Sequence, residues 1–432
     1  GDGLALSRLL SEKAFRVEVW CVGDPDKASD QWRRQREILS HYPVEFVAQP
    51  KGDEYEALVD ALFGVGLSRE LSGIYGEAVR KFMSLAGWKL ALDLPSGVDS
   101  DTGRILGCAV RADATLTFGF CKVGLMLYPG CEYAGEVEIA DIGISERSFF
   151  GMPPQMYAYD EEVAALLPKR AKNGHKGTFG RLLLIAGSVN MAGAAVLAAR
   201  AAYRAGAGMV KVATDAENRI ILQQTVPEAL LGERRQLRES LDWADVIAIG
   251  PGLGKSEEAF SCLEQVVMES RKPLLVDADG LNLLAEHPEL KSALSRQGAE
   301  GRAIVLTPHI GELSRLLGES AAECGKNPAL WGCELAAGFH AVVAAKDART
   351  FVCAENQPVC VNLSGNSGMG TAGSGDVLAG VIAALLAQGM SAYKAAAVGV
   401  YVHGKAGDSV SAEIGEYSCM AGDIAQRLLQ IR

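Results

Sequence analysis

The sequence predicts an α/β protein of two domains, each a parallel sheet held between helices in a three-layer α/β/α arrangement. Short β-branched runs alternate with longer helical patterns almost throughout, the pattern left by crossover helices joining parallel strands. In the second half, the first four strand-like runs each end in a Gly-, Asp- or Pro-containing turn before a helix. A chain of 432 residues also exceeds the usual domain length of about 100–200 residues.

Taken in order, Leu4, Ala5, Leu6, Leu9 and Leu10 give the chain a helical apolar pattern at its start. Residues 16–22, 57–63 and 89–94 read as strands or strand ends, and residues 30–40 and 75–86 as helices. Around residues 149–154 a glycine and two prolines break the pattern, before a helical 160–167 closed by Pro168. This places the domains at 1–150 and 165–432, with a linker at 151–164. Strands are then expected at 181–186, 245–249, 274–277, 304–307 and 341–345. Open α/β sheets bind ligands at the carboxyl ends of their strands, and most of the motifs below fall there.

Composition excludes several classes. A net charge of −11 and a pI near 5.2 argue against a nucleic-acid partner, so any phosphate site has to be built locally from backbone N–H groups. The ten cysteines are scattered singly, with no Cys-x-x-Cys pair, which suits reduced thiols in a cytoplasm. The longest apolar run, 377–390, falls short of the roughly 18 residues of a membrane span, so no membrane partner is expected. Gly1-Asp2-Gly3 opens the chain without methionine or a signal-peptide pattern, so residues are expected to be missing upstream.

The strongest local signal is Gly368-Met369-Gly370-Thr371-Ala372-Gly373-Ser374-Gly375-Asp376, followed by Val377-Leu378-Ala379-Gly380 and an apolar helix to about Leu386. Five glycines in these thirteen residues let N–H groups converge at a helix N-terminus, a cradle for phosphate. A carboxylate there repels phosphate, so Asp376 serves either as a helix N-cap or as a base. No Gly-Lys-Ser/Thr follows, which excludes a Walker A loop.

This segment resembles the anion-hole and catalytic-aspartate motif of the ribokinase-like superfamily, in the form seen in NAD(P)H-hydrate dehydratases. The same family's other segments recur in order: Asn173-Gly174-His175-Lys176-Gly177-Thr178-Phe179-Gly180, Ala186-Gly187-Ser188, Gly193-Ala194-Ala195, Gly250-Pro251-Gly252-Leu253-Gly254, Asp277-Ala278-Asp279-Gly280-Leu281-Asn282 and Thr307-Pro308-His309-Ile310-Gly311-Glu312. The resemblance covers roughly residues 165–430. It implies that Ala194, Gly252, His309 and Asp376 face the hydrated nucleotide, with Asp376 taking the proton of its hydroxyl. Lys346-Asp347-Ala348-Arg349-Thr350 is similar to the family's Lys-Gly-x-x-Thr stretch, with Asp347 in place of the glycine. With Gly373, Ser374 and Gly375 it is implied to hold ADP, the phosphoryl donor, with Mg²⁺ offsetting the charge. Read from the residues alone, a plain hairpin turn is the lesser alternative for 346–350, while His175 and Lys176 read as a solvated turn and His403 as a core or interface histidine.

The first half carries a second resemblance. Gly1-Asp2-Gly3-Leu4 looks like the end of the Asn-Asn-Gly-Gly-Asp-Gly motif of NAD(P)H-hydrate epimerases, and Asp60-Ala61-Leu62-Phe63-Gly64-Val65-Gly66-Leu67-Ser68-Arg69-Glu70 and Leu92-Asp93-Leu94-Pro95-Ser96-Gly97-Val98-Asp99 follow in the family's order. A Rossmann-like epimerase domain is implied, lacking its start, with a ribokinase-like domain behind it. Gly1, Asp2, Gly64, Val65, Gly66, Leu67, Ser68, Arg69, Glu70 and Asp93 are then expected to contact substrate, and Asp60 and Ser96 to bind K⁺. Asp93 is the candidate acid/base; ring opening and loss of hydroxide remain open as routes. Cys121 reads as a buried core thiol, and Lys122 as a solvent-facing lysine ahead of a weaker reading as a catalytic candidate.

Together the resemblances imply a repair enzyme for the hydrates NADHX and NADPHX, expected as a homo-oligomer. Its epimerase would interconvert the R and S forms, and its dehydratase would use ADP to remove water from S, giving NAD(P)H, AMP and phosphate. The rival is a ribokinase-like kinase for a vitamin or sugar, fused to a nonenzymatic binding domain, which would leave a stable phosphorylated product.

Overall fold

The computed structural model describes residues 1–152 and 154–428. The chain divides between Met152 and Pro153 into two compact units. No helix among the described residues is long and apolar enough to cross a membrane.

In the first unit, β1 (Glu18–Trp20) and β2 (Glu45–Val47) form a separate parallel pair. The main sheet has four parallel strands in sequence order: β3 (Glu54–Asp60), β4 (Ala86–Leu92), β5 (Ala114–Phe118) and β6 (Glu136–Ala140). The strand expected at 57–63 ends earlier, at Asp60. Side chains capture the next N–H groups: Leu62 N donates to Asp60 Oδ1 and Phe63 N to Ser96 Oγ. The strand expected to reach 94 stops at Leu92 because Asp93 turns the chain with φ +69°. Apolar clusters around Leu71, Val79 and Val110 and around Leu94, Val98, Leu125 and Ala134 fix the turns beyond these strand ends.

The second unit holds a ten-stranded sheet. Its strands are β7 (Met156–Tyr157), β8 (Arg181–Ile185), β9 (Met209–Thr214), β10 (Leu230–Glu233), β11 (Val246–Ile249), β12 (Leu274–Val276), β13 (Ile304–Leu306), β14 (Val342–Ala345), β15 (Phe351–Cys353) and β16 (Val359–Val361). Their order is β10-β9-β8-β11-β12-β13-β14-β15-β16-β7, parallel except where β15 pairs antiparallel with β14 and β16. The stretch expected as a linker, of which Pro153 lies outside the described residues, contributes β7 to this sheet, and Val163 just beyond it is buried in the same core. Residues 429–432, at the end of the expected second domain, also lie outside the described residues.

Both sheet faces are covered. Leu182, Leu184, Val246 and Ala248 share a core with the helices Ala192–Arg204, Ser374–Ala387 and Ala392–Ile414, while the alternating Leu183, Ile185, Ile247 and Ile249 are equally buried. Hydrophobic runs of this kind mark parallel strands buried on two sides. Chain direction reverses between β8 and β11, because β8 leads to β9 on one flank and β11 to β12 on the other. Such a switch point opens a crevice at the carboxyl edge of a sheet.

The helix Ser374–Ala387 is buried nearly all round and crosses the Ala-rich helix Ala192–Arg204 closely enough that a Cβ on Gly380 would stand 2.2 Å from the Ala198 carbonyl oxygen. Helix propensity favours alanine over glycine by about 0.5–1 kcal/mol, but the backbone contact reverses the sign. Gly380→Ala is expected to destabilise the second unit by about 1–3 kcal/mol in denaturant unfolding, where propensity alone would stabilise it.

Candidate active sites

In the second unit the loops after β8, β11, β12, β13 and β14 converge on one edge of the sheet. Those flanking the switch point are tied together: Gly187 N donates to the Pro251 carbonyl at 2.9 Å and Ser188 N to the Gly252 carbonyl at 2.5 Å. Gly252, at φ +55°, lies so close to Ala194 that a Cβ on it would be 2.8 Å from the Ala194 methyl. These two residues, expected to face substrate, therefore meet at the crevice wall.

A charge cluster forms its floor. Asp277, 1% exposed at the end of β12, accepts from Lys346 Nζ and Thr307 Oγ1, both 2.7 Å from Oδ1. Glu312, 4% exposed, accepts from His309 N at 2.9 Å, and burial raises its pKa, opposed by Lys346. Burial works against the charge of Lys346, yet Asp277, Glu312 and Asp376 outweigh it and leave the ammonium pKa above its ordinary value. Asp376 is pushed up to about 7, first by burial and then by Asp277, with Lys346 opposing. A half-ionised carboxylate near neutral pH beside a fixed cation is an arrangement suited to proton acceptance.

Gly373, at φ +91°, caps the helix Ser374–Ala387, so Asp376 stands in the first turn and the N-cap reading is set aside. The opening N–H groups of a helix lack intrahelical acceptors and favour an anion. Lys346 points at the same place: a Cβ on Gly375 would be 3.4 Å from its Nζ. Lys346 begins a five-residue connection between the antiparallel β14 and β15, so residues 346–350 are a hairpin whose first member turns into the charge cluster. Asp347 keeps a negative φ, so the position makes no use of the freedom a glycine would bring. Asp347 and Ala348 are exposed, Arg349 Nη1 donates to the Leu363 carbonyl, and the Thr350 carbonyl accepts from Asn362 N.

Of the histidines, His309 lies at the crevice but caps the helix Ile310–Leu317, its Nδ1 accepting from Gly311 N at 2.9 Å while Nε2 stands 3.3 Å from Glu312 Oε1. His175 caps an exposed turn. His403 is buried 3.4 Å from Ser374 Oγ, and burial lowers its pKa to about 4, so it is neutral.

The first unit brings its candidates together at the ends of β3, β4 and β5. Asp60, 4% exposed, accepts from Ser96 N and Oγ, both at 2.7 Å, and from Leu62 N at 3.2 Å. Burial raises its pKa against the Ser96 bonds, and among the described residues no Lys or Arg pairs with it. The Ser96 hydroxyl also lies 3.3 Å from the Phe63 carbonyl oxygen. Asp93 faces Gly64 with Oδ2, while Oδ1 accepts from Lys122 Nζ at 2.6 Å. Lys122 is thus not solvent-facing: its side chain is 19% exposed, held by Asp93 and by the Phe118 carbonyl at 2.8 Å. Cys121 is half-buried, and burial raises its pKa.

Gly3 touches the turn after β3, where a Cβ would be 2.6 Å from the Ala61 methyl, which brings exposed Gly1 and Asp2 to the same edge. The Gly64–Glu70 stretch is not gathered at one point. Gly64 is beside Asp93, Val65, Gly66, Ser68 and Arg69 are exposed, Leu67 packs into the Leu71 cluster, and Glu70 lies against Gly107. Sequence reasoning missed Asp277 and Glu312 as site members and ranked Lys122 as a catalytic candidate below its reading as a solvent-facing lysine. Asp277 and Glu312 lie inside quoted motifs, and a strand-end Asp was the signal available.

These features define a two-part α/β protein with an anion- and proton-handling crevice in one unit and a carboxylate site in the other. The sequence profile of NAD(P)H-hydrate dehydratase matches residues 182–430, and that of the YjeF-related protein N-terminus matches residues 1–124. A bifunctional NAD(P)H-hydrate repair enzyme from Coxiella burnetii is 38% identical over 99% of this chain and 87% of its own length. One from Thermofilum pendens is 36% identical over 96% of this chain and 82% of its own. Among solved structures, an ADP/ATP-dependent NAD(P)H-hydrate dehydratase from Bacillus subtilis, co-crystallised with ATP/Mg²⁺, superposes with a TM-score of 0.56 at 29% identity, covering 65% of this chain and 98% of that one. A ribokinase-like protein from Enterococcus faecalis gives 0.57 at 27% identity, covering 63% and 94%. The chain belongs to the bifunctional NAD(P)H-hydrate repair enzyme family.

The raised pKa of Asp376 makes its ionised form a burden on the fold. Below about pH 4 the carboxyl is protonated folded and unfolded alike; between there and about 7 only the unfolded chain releases the proton, so stability falls with rising pH. Asp376→Asn is expected to gain on the order of 1–4 kcal/mol at pH 8 in denaturant unfolding, with the gain vanishing near pH 4.

Proposed function

We propose that the chain repairs hydrated nicotinamide dinucleotides in two steps. The smaller unit interconverts the R and S hydrates of NADH and NADPH, and the larger removes water from the S form at the expense of ADP, giving NAD(P)H, AMP and phosphate. The observation that carries this reading is the meeting of Lys346, Gly375 and Asp376 at one helix N-terminus, within a chain of the repair family.

Hydroxide is a poor leaving group at neutral pH. In the larger unit Asp376 takes the proton of the substrate hydroxyl as its oxygen bonds to the terminal phosphorus of ADP and the bond to AMP breaks. The N–H groups at Gly373 to Gly375 and the Lys346 ammonium stabilise charge on the transferring phosphoryl. Elimination then breaks the carbon–oxygen bond and releases phosphate, the neighbouring carbon giving up its proton as the ring double bond forms. Ala194 and Gly252 wall the crevice that receives the dinucleotide, with His309 at its rim, and residues 346–350 receive the nucleotide. Mg²⁺ commonly binds through substrate phosphates and only one or two carboxylates. The carboxylates of Asp279, near Asp376, and Glu312, near Lys346, are the groups that would hold such an ion beside the phosphates.

In the smaller unit Asp93 is the acid/base, its open oxygen toward Gly64 and the other held by Lys122. The Asp60 carboxylate, the Ser96 hydroxyl and the Phe63 carbonyl suit K⁺, because a buried carboxylate without a cationic partner invites a hard cation. Such a cation would supply positive charge that orders the turn after β3. Ten cysteines scattered singly along the chain suit a reducing cytoplasm.

Asp376→Asn is expected to lower kcat for ADP-dependent dehydration of the S hydrate by about 10²–10⁴, and the wild-type rate to rise with pH through about 7 as the base ionises. Near-normal dehydration by that variant contradicts the role. Asp93→Asn is expected to abolish conversion of R to S while S is still dehydrated at the wild-type rate; R consumed as before removes Asp93 from the chemistry.

A further inference from the structure

We propose that Arg234, with Asp215 as its counter-charge, is the positioning residue that fixes the dinucleotide crevice of the larger unit; this rests on the reading that the loops after β8 and β11 hold the hydrate. Arg234 lies outside both glycine loops, in the short turn that follows β10, and is 4% exposed. Its Nη2 donates to the Gly187 carbonyl at 2.6 Å. Its Nη1 donates to Asp215 Oδ1 at 2.9 Å and reaches the Leu253 carbonyl at 3.4 Å. One guanidinium thus holds a carbonyl on each side of the switch point.

The cost of this arrangement indicates what it is for. A buried guanidinium with one carboxylate loses more hydration than a single ion pair returns, and Arg234 Nε is buried with no hydrogen-bond partner among the described residues. An aliphatic side chain would fill the same space without that cost. It could not donate to two carbonyls belonging to separate loops.

Two backbone hydrogen bonds already join those loops, Gly187 N to the Pro251 carbonyl and Ser188 N to the Gly252 carbonyl, and Arg234 adds a side-chain pin to each. Gly250, Gly252 and Gly254 all have positive φ, so the Gly-Pro-Gly-Leu-Gly segment has little conformational preference of its own. The pins are concentrated at its partner: the Gly187 carbonyl also accepts from Thr214 Oγ1 at 2.8 Å and Asn218 Nδ2 at 3.2 Å. Asp215 completes the frame, its Oδ2 accepting from Val189 N at 2.8 Å, one residue past Ser188. Arg234 and Asp215 together therefore set the separation of Gly187 to Val189 from Leu253, the walls between which Ala194 and Gly252 meet. None of these groups lies at Lys346 or Gly375, so the pair acts on the dinucleotide side of the site and leaves the ADP side alone.

The test is steady-state kinetics of the full chain with the S hydrate and ADP for wild type, Arg234→Met, Arg234→Lys and Asp215→Asn. Arg234→Met is expected to raise KM for the hydrate about tenfold or more while KM for ADP is unchanged, with Arg234→Lys recovering part of the loss. A merely structural role would move both KM values together or neither. A folded Arg234→Met enzyme with wild-type KM for the hydrate overturns the proposal, and if that variant does not fold, an unchanged hydrate KM in Asp215→Asn does so. Ala194→Val separates this from the underlying reading. If it raises the hydrate KM while the Arg234 and Asp215 variants do not, only the positioning role fails; if it leaves that KM unchanged, the crevice reading fails and the proposal with it.

Discussion

The ammonium of Lys346, sunk among the carboxylates of Asp277, Glu312 and Asp376, is the interaction around which the larger site is organised. An ion pair about 4 Å apart at a partly buried site is worth roughly 4 kcal/mol, and withdrawing each ion from water costs several. A single carboxylate would therefore leave the lysine near break-even. Several around one cation keep it charged, and the resulting surplus of negative charge falls on the member that most needs to hold a proton. Asp376 is that member, beside a helix N-terminus that favours the opposite behaviour toward a bound anion. Under the proposed function, the same cluster would both attract phosphate and leave a carboxylate able to take a proton there.

The smaller unit solves a related problem with different means. Asp93 has its cation supplied by the chain, since Lys122 reaches it from beyond β5. Asp60 does not, and is left with hydrogen bonds alone in a buried position. Two strand-end carboxylates thus have different surroundings, one paired with a lysine and carried on a left-handed backbone, the other buried among hydrogen-bond donors.

The fold was largely legible because it depends on periodicity and punctuation. Buried parallel strands read as short apolar runs, and the turns after them carry Gly, Asp or Pro. The boundaries that shifted did so where side chains compete for backbone donors: Asp60 and Ser96 end β3 early by taking the N–H groups of Leu62 and Phe63. No local pattern encodes that competition. The same limit governs the sites. Asp376 and the glycines before it stand in one contiguous segment, so their chemistry is visible in order. Asp277 and Lys346 lie at separate strand ends and Glu312 in the first turn of the helix Ile310–Leu317, and Lys122 lies 29 residues from the Asp93 it binds, so only the folded sheet makes them neighbours. Asp347 shows the converse, since the departure in sequence calls for no positive φ once the backbone is seen.

The two units are chemically complementary, because spontaneous hydration yields both epimers and the dehydration step uses one. The most direct measurement supplies a mixture of R and S NADH hydrates with ADP and Mg²⁺ to the full chain and follows the near-ultraviolet absorbance of NADH together with the nucleotide products. The account predicts that the whole mixture returns as NADH, with one AMP and one phosphate formed per molecule repaired. Recovery of the S form alone would contradict the epimerase half, and a stable phosphorylated product without NADH would contradict the dehydratase half.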